Sequence, residues 1–315
     1  MDGLPHALIL DAPLMDRAPS WQRTLKASID CVGTGVHSGR RARLAIHPAP
    51  AGHGIVFHRS DAGQTIPARF DHVVDTRLCT VLGQPGNPAL RVGTVEHVMA
   101  ALAGQGIDNA VVEIDGPEVP ILDGSAAPLV FLLDCAGIVE LAAPRSAIEI
   151  LRPVRVSDGK AFAELRPDRS GRGGLEMALS IDFAAAAIGR QAFSFHLTPD
   201  GFRHELARAR TFAMAAEIDQ LRSAGLARGG SLDNALVVDG DTVLNPGGLR
   251  MSDEFVRHKL LDAVGDLALA GAPIHGRFVA HRSGHALNNQ LLRALFADAS
   301  AWRHASPAPL AAVAA

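Results

Sequence analysis

His258 and Asp262 stand four residues apart in DEFVRHKLLDAVGDLALAG. On a helix that spacing puts an imidazole and a carboxylate on one face, about 6 Å apart and able to converge on one point. Asp266 continues the row one turn on, and Gly265 beside it leaves room for a backbone or a ligand to approach closely. Val256, Leu260, Val264 and Leu267 form an apolar stripe opposite, while Leu261 and Leu269 flank the polar row. The competing reading is a solvated polar face. With 14 His and 33 Asp plus Glu in 315 residues, roughly one or two such pairs arise by chance. The other pair at this spacing with the histidine first, His196 and Asp200, is broken by Pro199.

A second helical segment, TVEHVMAALAG, carries Glu96-His97, the only Glu-His dipeptide of the chain, in its first turn. Taken alone, His97 reads as a satisfied core histidine. With His258 and Asp262 it completes a two-His, one-carboxylate set that suits Zn²⁺ and leaves one position open for water. Zinc lowers the pKa of such a water to about 7, and Glu96, next to a ligand, is placed to take its proton. Expelling an amine needs a second protonatable group. His285, in the SGH turn, is the candidate.

Other signatures fail. Gly33-Thr-Gly-Val-His-Ser-Gly39 resembles a dinucleotide loop, but Ser38 stands where the third glycine belongs and no βαβ unit surrounds it, so it reads as a structural turn. His204-Glu205 opens like a zincin helix, yet Arg208 replaces the second histidine. The sequence contains no P-loop and no GxSxG.

The elements that must position these residues are legible in outline. Short apolar runs at Thr24–Asp30, Arg41–His47 and Gly54–Arg59 predict antiparallel strands. Thr94 predicts the cap of the first helix and Gly104 its stop. A strand over Asn109–Ile114, a turn and a helix over Ala126–Ala136 follow. The later half repeats the plan with a helix over Asp253–Gly271, a strand over Gly276–Arg282 and a helix over Ala286–Asp298. Helix, strand, turn, helix recurs roughly 160 residues apart. The expectation is an α+β fold of two similarly built domains, 21–145 and 146–304, meeting near Ala143–Ala147. Residues 1–20 and 305–315 read as flexible ends.

Composition removes several function classes. The chain is 48% apolar and 20% charged, with a formal charge of -3, 4% aromatics and no tyrosine. That gives neither a basic field nor a stacking platform for nucleic acid. Cys31, Cys79 and Cys135 are too few and too scattered for a disulfide framework. No basic n-region precedes the first apolar stretch, and nowhere do about 18 apolar residues run together. The expectation is a soluble, cytoplasmic protein with no transmembrane segment.

GTGVHSG, DTRLCT, TVEHVMAALAGQGIDNAVVEIDGPEVPILDGSAAP, RARTF, GGSLDNALVV, DEFVRHKLLDAVGDLALAG and SGHALNN resemble, in order from about Thr24 to Trp302, the UDP-3-O-acyl-N-acetylglucosamine deacetylases of bacterial lipid A synthesis. The resemblance implies hydrolysis of the acetamide of UDP-3-O-(3-hydroxyacyl)-N-acetylglucosamine by a zinc-activated water. It implies one Zn²⁺ per chain, or Fe²⁺ on the same donors, held by His97, His258 and Asp262, with Glu96 as general base. By position His285 matches the cationic group that stabilises the oxyanion and protonates the amine, and Asp266 the acid that orients it. Thr211 matches an oxyanion hydroxyl, and Lys259 and Phe212 match contacts to the phosphate and sugar portions of the substrate. The family fold is two α+β domains, each a sheet layer with helices, packed helix to helix with the site between them.

A family βαβ insert forms an apolar passage for the acyl chain. Here it falls at Ala213–Asn245, where Ile218, Leu221, Ala235 and Val237 are candidates to line it and ordinary core positions are the alternative. Arg77 departs from relatives, which often carry an uncharged residue there, and reads as a surface arginine or a phosphate contact. The tail PAPLAAVAA is most simply a frayed end; recognition by an energy-dependent protease is the other reading. A catalytically silent binder of UDP-sugars or acyl lipids and a zinc peptidase are the competing functions.

Overall fold

The structure, a computed structural model, describes residues 21–305. The expectations for residues 1–20 and for the tail past Ala305 lie outside the described residues. The first half runs β1 (Trp21–Leu25), β2 (Ile29–Thr34), β3 (Arg41–Pro48), β4 (Ile55–Arg59), β5 (Gln64–Pro67), β6 (Val73–Asp75), β7 (Val81–Gln84) and β8 (Asn87–Val92). It closes with α1 (Glu96–Gly104), β9 (Ala110–Ile114), α2 (Ala127–Ala136) and β10 (Ile138–Pro144). The second half runs β11 (Ala147–Ile150), β12 (Val154–Asp158), β13 (Ala161–Arg166), β14 (Leu175–Asp182), β15 (Arg190–His196) and the single turn α3 (Pro199–Gly201). Then come β16 (Phe212–Met214), α4 (Ala215–Ser223), β17 (Leu236–Asp239), β18 (Thr242–Val243), α5 (Glu254–Ala268), β19 (Ile274–His281), α6 (His285–Ala297) and β20 (Trp302–Ala305).

The two halves are built alike. The first sheet has the order β2-β3-β9-β4-β5, with β4 parallel to β9 and the other neighbours antiparallel. In the second, β12-β13-β19-β14-β15 repeats both order and directions, with β14 parallel to β19. In each half a helix precedes the central strand and another follows it. The second half adds β11, which pairs in parallel with the start of the central strand β19, and β20 antiparallel beside β11.

Several local expectations change. Thr24–Asp30 is not one strand: it splits into β1 and β2, because the Lys26 and Ala27 amides turn away to bind the carbonyls at the end of α2. The early strands are not all antiparallel, since β4 runs parallel to β9. Thr94 is not the cap of α1. Its backbone takes φ 57° and its hydroxyl donates to Glu118, so the helix begins at Glu96 after Val95. Gly104 does not stop the helix either. That role falls to Gly106 at φ 72°, whereas Gly104 is small because a Cβ there would meet the Phe202 ring at 2.3 Å. Ala305, expected in the loose tail, closes β20.

The halves meet through α1 and α5. Both helices are buried almost all round, as expected of elements sandwiched between two sheets rather than lying on a surface. Gly265 is where they cross: a Cβ there would lie 2.0 Å from the Glu96 carbonyl oxygen. The close approach expected beside Asp266 is therefore made by the backbone of the other helix. The obstacle is backbone and cannot swing aside, so Gly265→Ala should cost about 3 kcal/mol or more, the upper end of overpacking. Urea unfolding of the variant beside the wild type measures this; equal midpoints would contradict the crossing.

Candidate metal centre and active site

α1 carries Glu96 and His97 to the crossing, and α5 carries His258, Asp262 and Asp266. The last three are 2%, 4% and 2% exposed, which removes the solvated-face reading. One ligand atom from each of His97, His258 and Asp262 lies within 4.8 Å of the others. The Nε2 atoms of His97 and His258 are 3.8 and 3.3 Å from Asp262 Oδ1. His258 Nδ1 donates to the Ala209 carbonyl at 3.0 Å, leaving the Nε2 lone pair pointed at the cluster.

Protonation states match a ligand set. Burial pushes His97 down to about 3 and lowers His258, so both are neutral near pH 7. Burial works against charge on Asp262, yet His258, Lys259 and His285 hold it well below the usual carboxylate range. Two neutral imidazoles and one carboxylate converging on one point fit a divalent cation with nitrogen and oxygen preferences.

Beside this triad sits an acid–base pair. Burial pushes Glu96 up to about 8; His285 opposes the rise, and Asp262 and Asp266 reinforce it. The Thr80 amide donates to Glu96 Oε2 at 3.0 Å. His285 Nε2 lies 3.9 Å from Glu96 Oε1, and its Nδ1 donates to Asp266 Oδ2 at 2.9 Å. Burial alone would lower His285, but the carboxylates of Asp266 and Glu96 outweigh it and raise the imidazole to about 9. Asp266 is held in turn by the Thr80 hydroxyl at 2.5 Å and Asn288 Nδ2 at 2.9 Å.

A cavity of about 300 Å³ opens next to Glu96 and His97. Thr211, Phe212, Ile218, Leu221, Ala235 and Val237 all line it. Ile218, Leu221, Ala235 and Val237 come from the insert and Thr211 and Phe212 immediately precede it; β16 and β17 pair in parallel across α4. Phe212 also packs edge-on against Phe255, at 5.1 Å between ring centroids, and His258, at 6.3 Å. Lys259 is absent from this lining: its ammonium bonds Asp262 Oδ2 at 2.8 Å, behind a candidate ligand. Arg77 is an exposed arginine paired with Asp75 at 2.9 Å.

Sequence reasoning missed the supports. His37 lies in the Gly33–Gly39 segment, whose first two residues end β2 and whose residues 36–38 form the expected turn, and it lines the cavity with a buried and unbonded Nδ1. Glu118 clamps that turn, accepting the His37 and Ser38 amides at 2.8 and 2.7 Å and the Thr94 hydroxyl at 3.1 Å. Thr80 ties Glu96 to Asp266. Only membership of the DTRLCT, SGHALNN and DGPEVPILDGS strings could have marked Thr80, Asn288 and Glu118.

The fold and site define an α+β hydrolase of two like-built halves, with a buried site between them that can hold a metal ion. The family model LpxC, described as UDP-3-O-acyl N-acetylglycosamine deacetylase, matches residues 22–297. The UDP-3-O-acyl-N-acetylglucosamine deacetylase of Acidithiobacillus ferrooxidans is 51% identical over 285 residues, 89% of this chain and 91% of its own. That of Myxococcus xanthus is 50% identical over 283 residues (89% and 88%), and that of Shewanella baltica 49% over 286 (90% and 92%). The chain belongs to this deacetylase family. Because Asp266 supplies much of the attraction on His285, Asp266→Asn should lower the His285 titration seen by NMR from about 9 toward its ordinary 6.5. An unmoved titration would contradict the pairing.

Proposed function

We propose that this chain hydrolyses the acetamide of UDP-3-O-acyl-N-acetylglucosamine to acetate and the free amine, in the cytoplasm, as a step of lipid A biosynthesis. The observation that carries this is the buried His97, His258, Asp262 triad beside Glu96 at the mouth of an apolar cavity. The site lies between domains 21–145 and 146–304. Among the described residues no helix is long and apolar enough to cross a membrane.

His97, His258 and Asp262 would hold one divalent ion; Zn²⁺ suits the set best and Fe²⁺ tolerates it. Such an ion supplies Lewis acidity, polarising the amide carbonyl and bringing a water's pKa to about 7. Glu96 takes a proton from the attacking water at Oε1. The water's hydroxyl adds to the acetyl carbon, the C–N bond breaks, and His285 Nε2 delivers a proton to the departing nitrogen. His285, held cationic by Asp266, and Thr211 face the developing oxyanion. Phe212 packs against the sugar and Lys259 favours the phosphates, while Ile218, Leu221, Ala235 and Val237 shelter the acyl chain from water.

Metal content and acetate release, measured on one preparation of wild type beside His258→Ala, test this reading. Near one metal per chain with deacetylation, both lost in the variant, is the expected result. Metal without acetate release would overturn the substrate, and no metal in the wild type would overturn the site. The pH profile gives a second check. His285 must be protonated to act, so the alkaline limb follows its pKa and should move to lower pH in Asp266→Asn. A limb that stays in place would remove His285 as the acid.

A further inference from the structure

A second, larger cavity of about 470 Å³ lies where the halves meet, behind the crossing helices. It shares no lining residue with the cavity beside Glu96. Met99 and Leu102 of α1 and Val264 and Leu267 of α5 contribute to its floor. These positions are turned about 140–200° around their helices from His97 and Asp262. Matching positions of the two sheets form its walls: Ile55 and Leu175 open β4 and β14, and Ile107 and Pro273 lead into β9 and β19.

One end of this cavity carries the guanidinium groups of Arg23 and Arg145, with Asp108 the one carboxylate of the lining; Arg69 lies elsewhere on it, beside Gly271. Arg145 Nε donates to Asp108 at 2.7 Å, Arg23 Nη2 to Glu140 at 3.0 Å, and Arg69 pairs with Asp71 at 3.4 Å. Among the described residues, both terminal nitrogens of Arg145 and Nη1 of Arg23 make no hydrogen bond. All three converge over Gly106, where a Cβ would meet them at 3.7–3.8 Å. The end of α1 lies there too, and its dipole offsets part of the charge. Its carbonyls at Ala101, Leu102 and Ala103 are nevertheless taken by the amides of Gln105, Ile107 and Gly106. Guanidinium donors left without a protein partner at the end of an apolar trough match a particular shape of ligand.

We propose that this rear cavity binds a single-chain amphiphile with an anionic head, the head at Arg23 and Arg145 and the chain along Met99, Leu102, Val264 and Leu267. The inference is independent of the reaction assigned above.

Calorimetric titration of the metal-loaded protein with dodecanoate, dodecyl phosphate and dodecanol tests it. Ala103→Phe and Ala268→Phe, two lining positions outside the catalytic machinery, each fill the trough, so one folded variant suffices. Either charged probe should bind at a site that the filled variants lose while keeping their deacetylase turnover. Arg145→Ala should weaken that binding on the order of tenfold, the loss of a charge-assisted contact. The tighter of the two charged probes identifies carboxylate or phosphate as the preferred head. Binding that survives both filled variants would place the probe in the front cavity and overturn the proposal. Dodecanol binding as tightly as the charged probes would overturn the anionic head.

Discussion

Everything at the site depends on how closely α1 and α5 approach. His97 comes from one half and His258 and Asp262 from the other, and they share a point only because no side chain separates the helices where Gly265 meets the Glu96 carbonyl. Interiors are close-packed and do not deform continuously, so a methyl group at that crossing would displace the three candidate ligands as a set. The same contact buries Glu96, and burial is what moves its pKa toward neutrality. Geometry and acidity thus have one origin.

Burying this many ionisable groups is tolerable because they are paired. Asp262 is held ionised, Lys259 and His285 are held cationic, and His97 and His258 are neutral. Each charged group has a partner at hydrogen-bond distance: Lys259 on Asp262, and His285 with Thr80 and Asn288 on Asp266. Glu96 is the group left poised between states. A dication held at the triad would favour its carboxylate form, so binding of such an ion and the protonation of Glu96 would be linked.

The sequence was most informative where one helix carried both chemistry and a packing constraint. Residues 253–271 displayed the His258, Asp262, Asp266 row, the apolar stripe and Gly265 together, and each had a period to read. The supports had none. Glu118, Thr80 and Asn288 act across the chain, with Thr80 reaching Asp266 186 positions away, and no local pattern encodes such a partner. Local rules failed where tertiary contacts overrode them. Thr94 has the side chain of a cap but spends its hydroxyl on Glu118, and Gly104 has the freedom of a stop but is required for its lack of a Cβ. The Gly33–Gly39 segment ends β2 and turns at residues 36–38, and nothing in its sequence marked His37 as a residue that would line the cavity.

The repeated architecture shows where the specialisation sits. In each half the chain interrupts the shared plan at the same place, between the fourth strand of the sheet and the helix before the central strand. In the first half β6, β7 and β8 occupy that gap; in the second, α3, β16, α4, β17 and β18 do. The first interruption delivers Leu78 to the cavity and Thr80 to Glu96 and Asp266. The second contains Thr211, Phe212 and the apolar lining. The shared sheets and helices hold the triad at the seam, and the unlike inserts, entering from opposite halves, enclose the space beside it. A site between two copies of one plan can therefore be asymmetric: the crossing helices supply the charge, and the inserts decide what may lie against it.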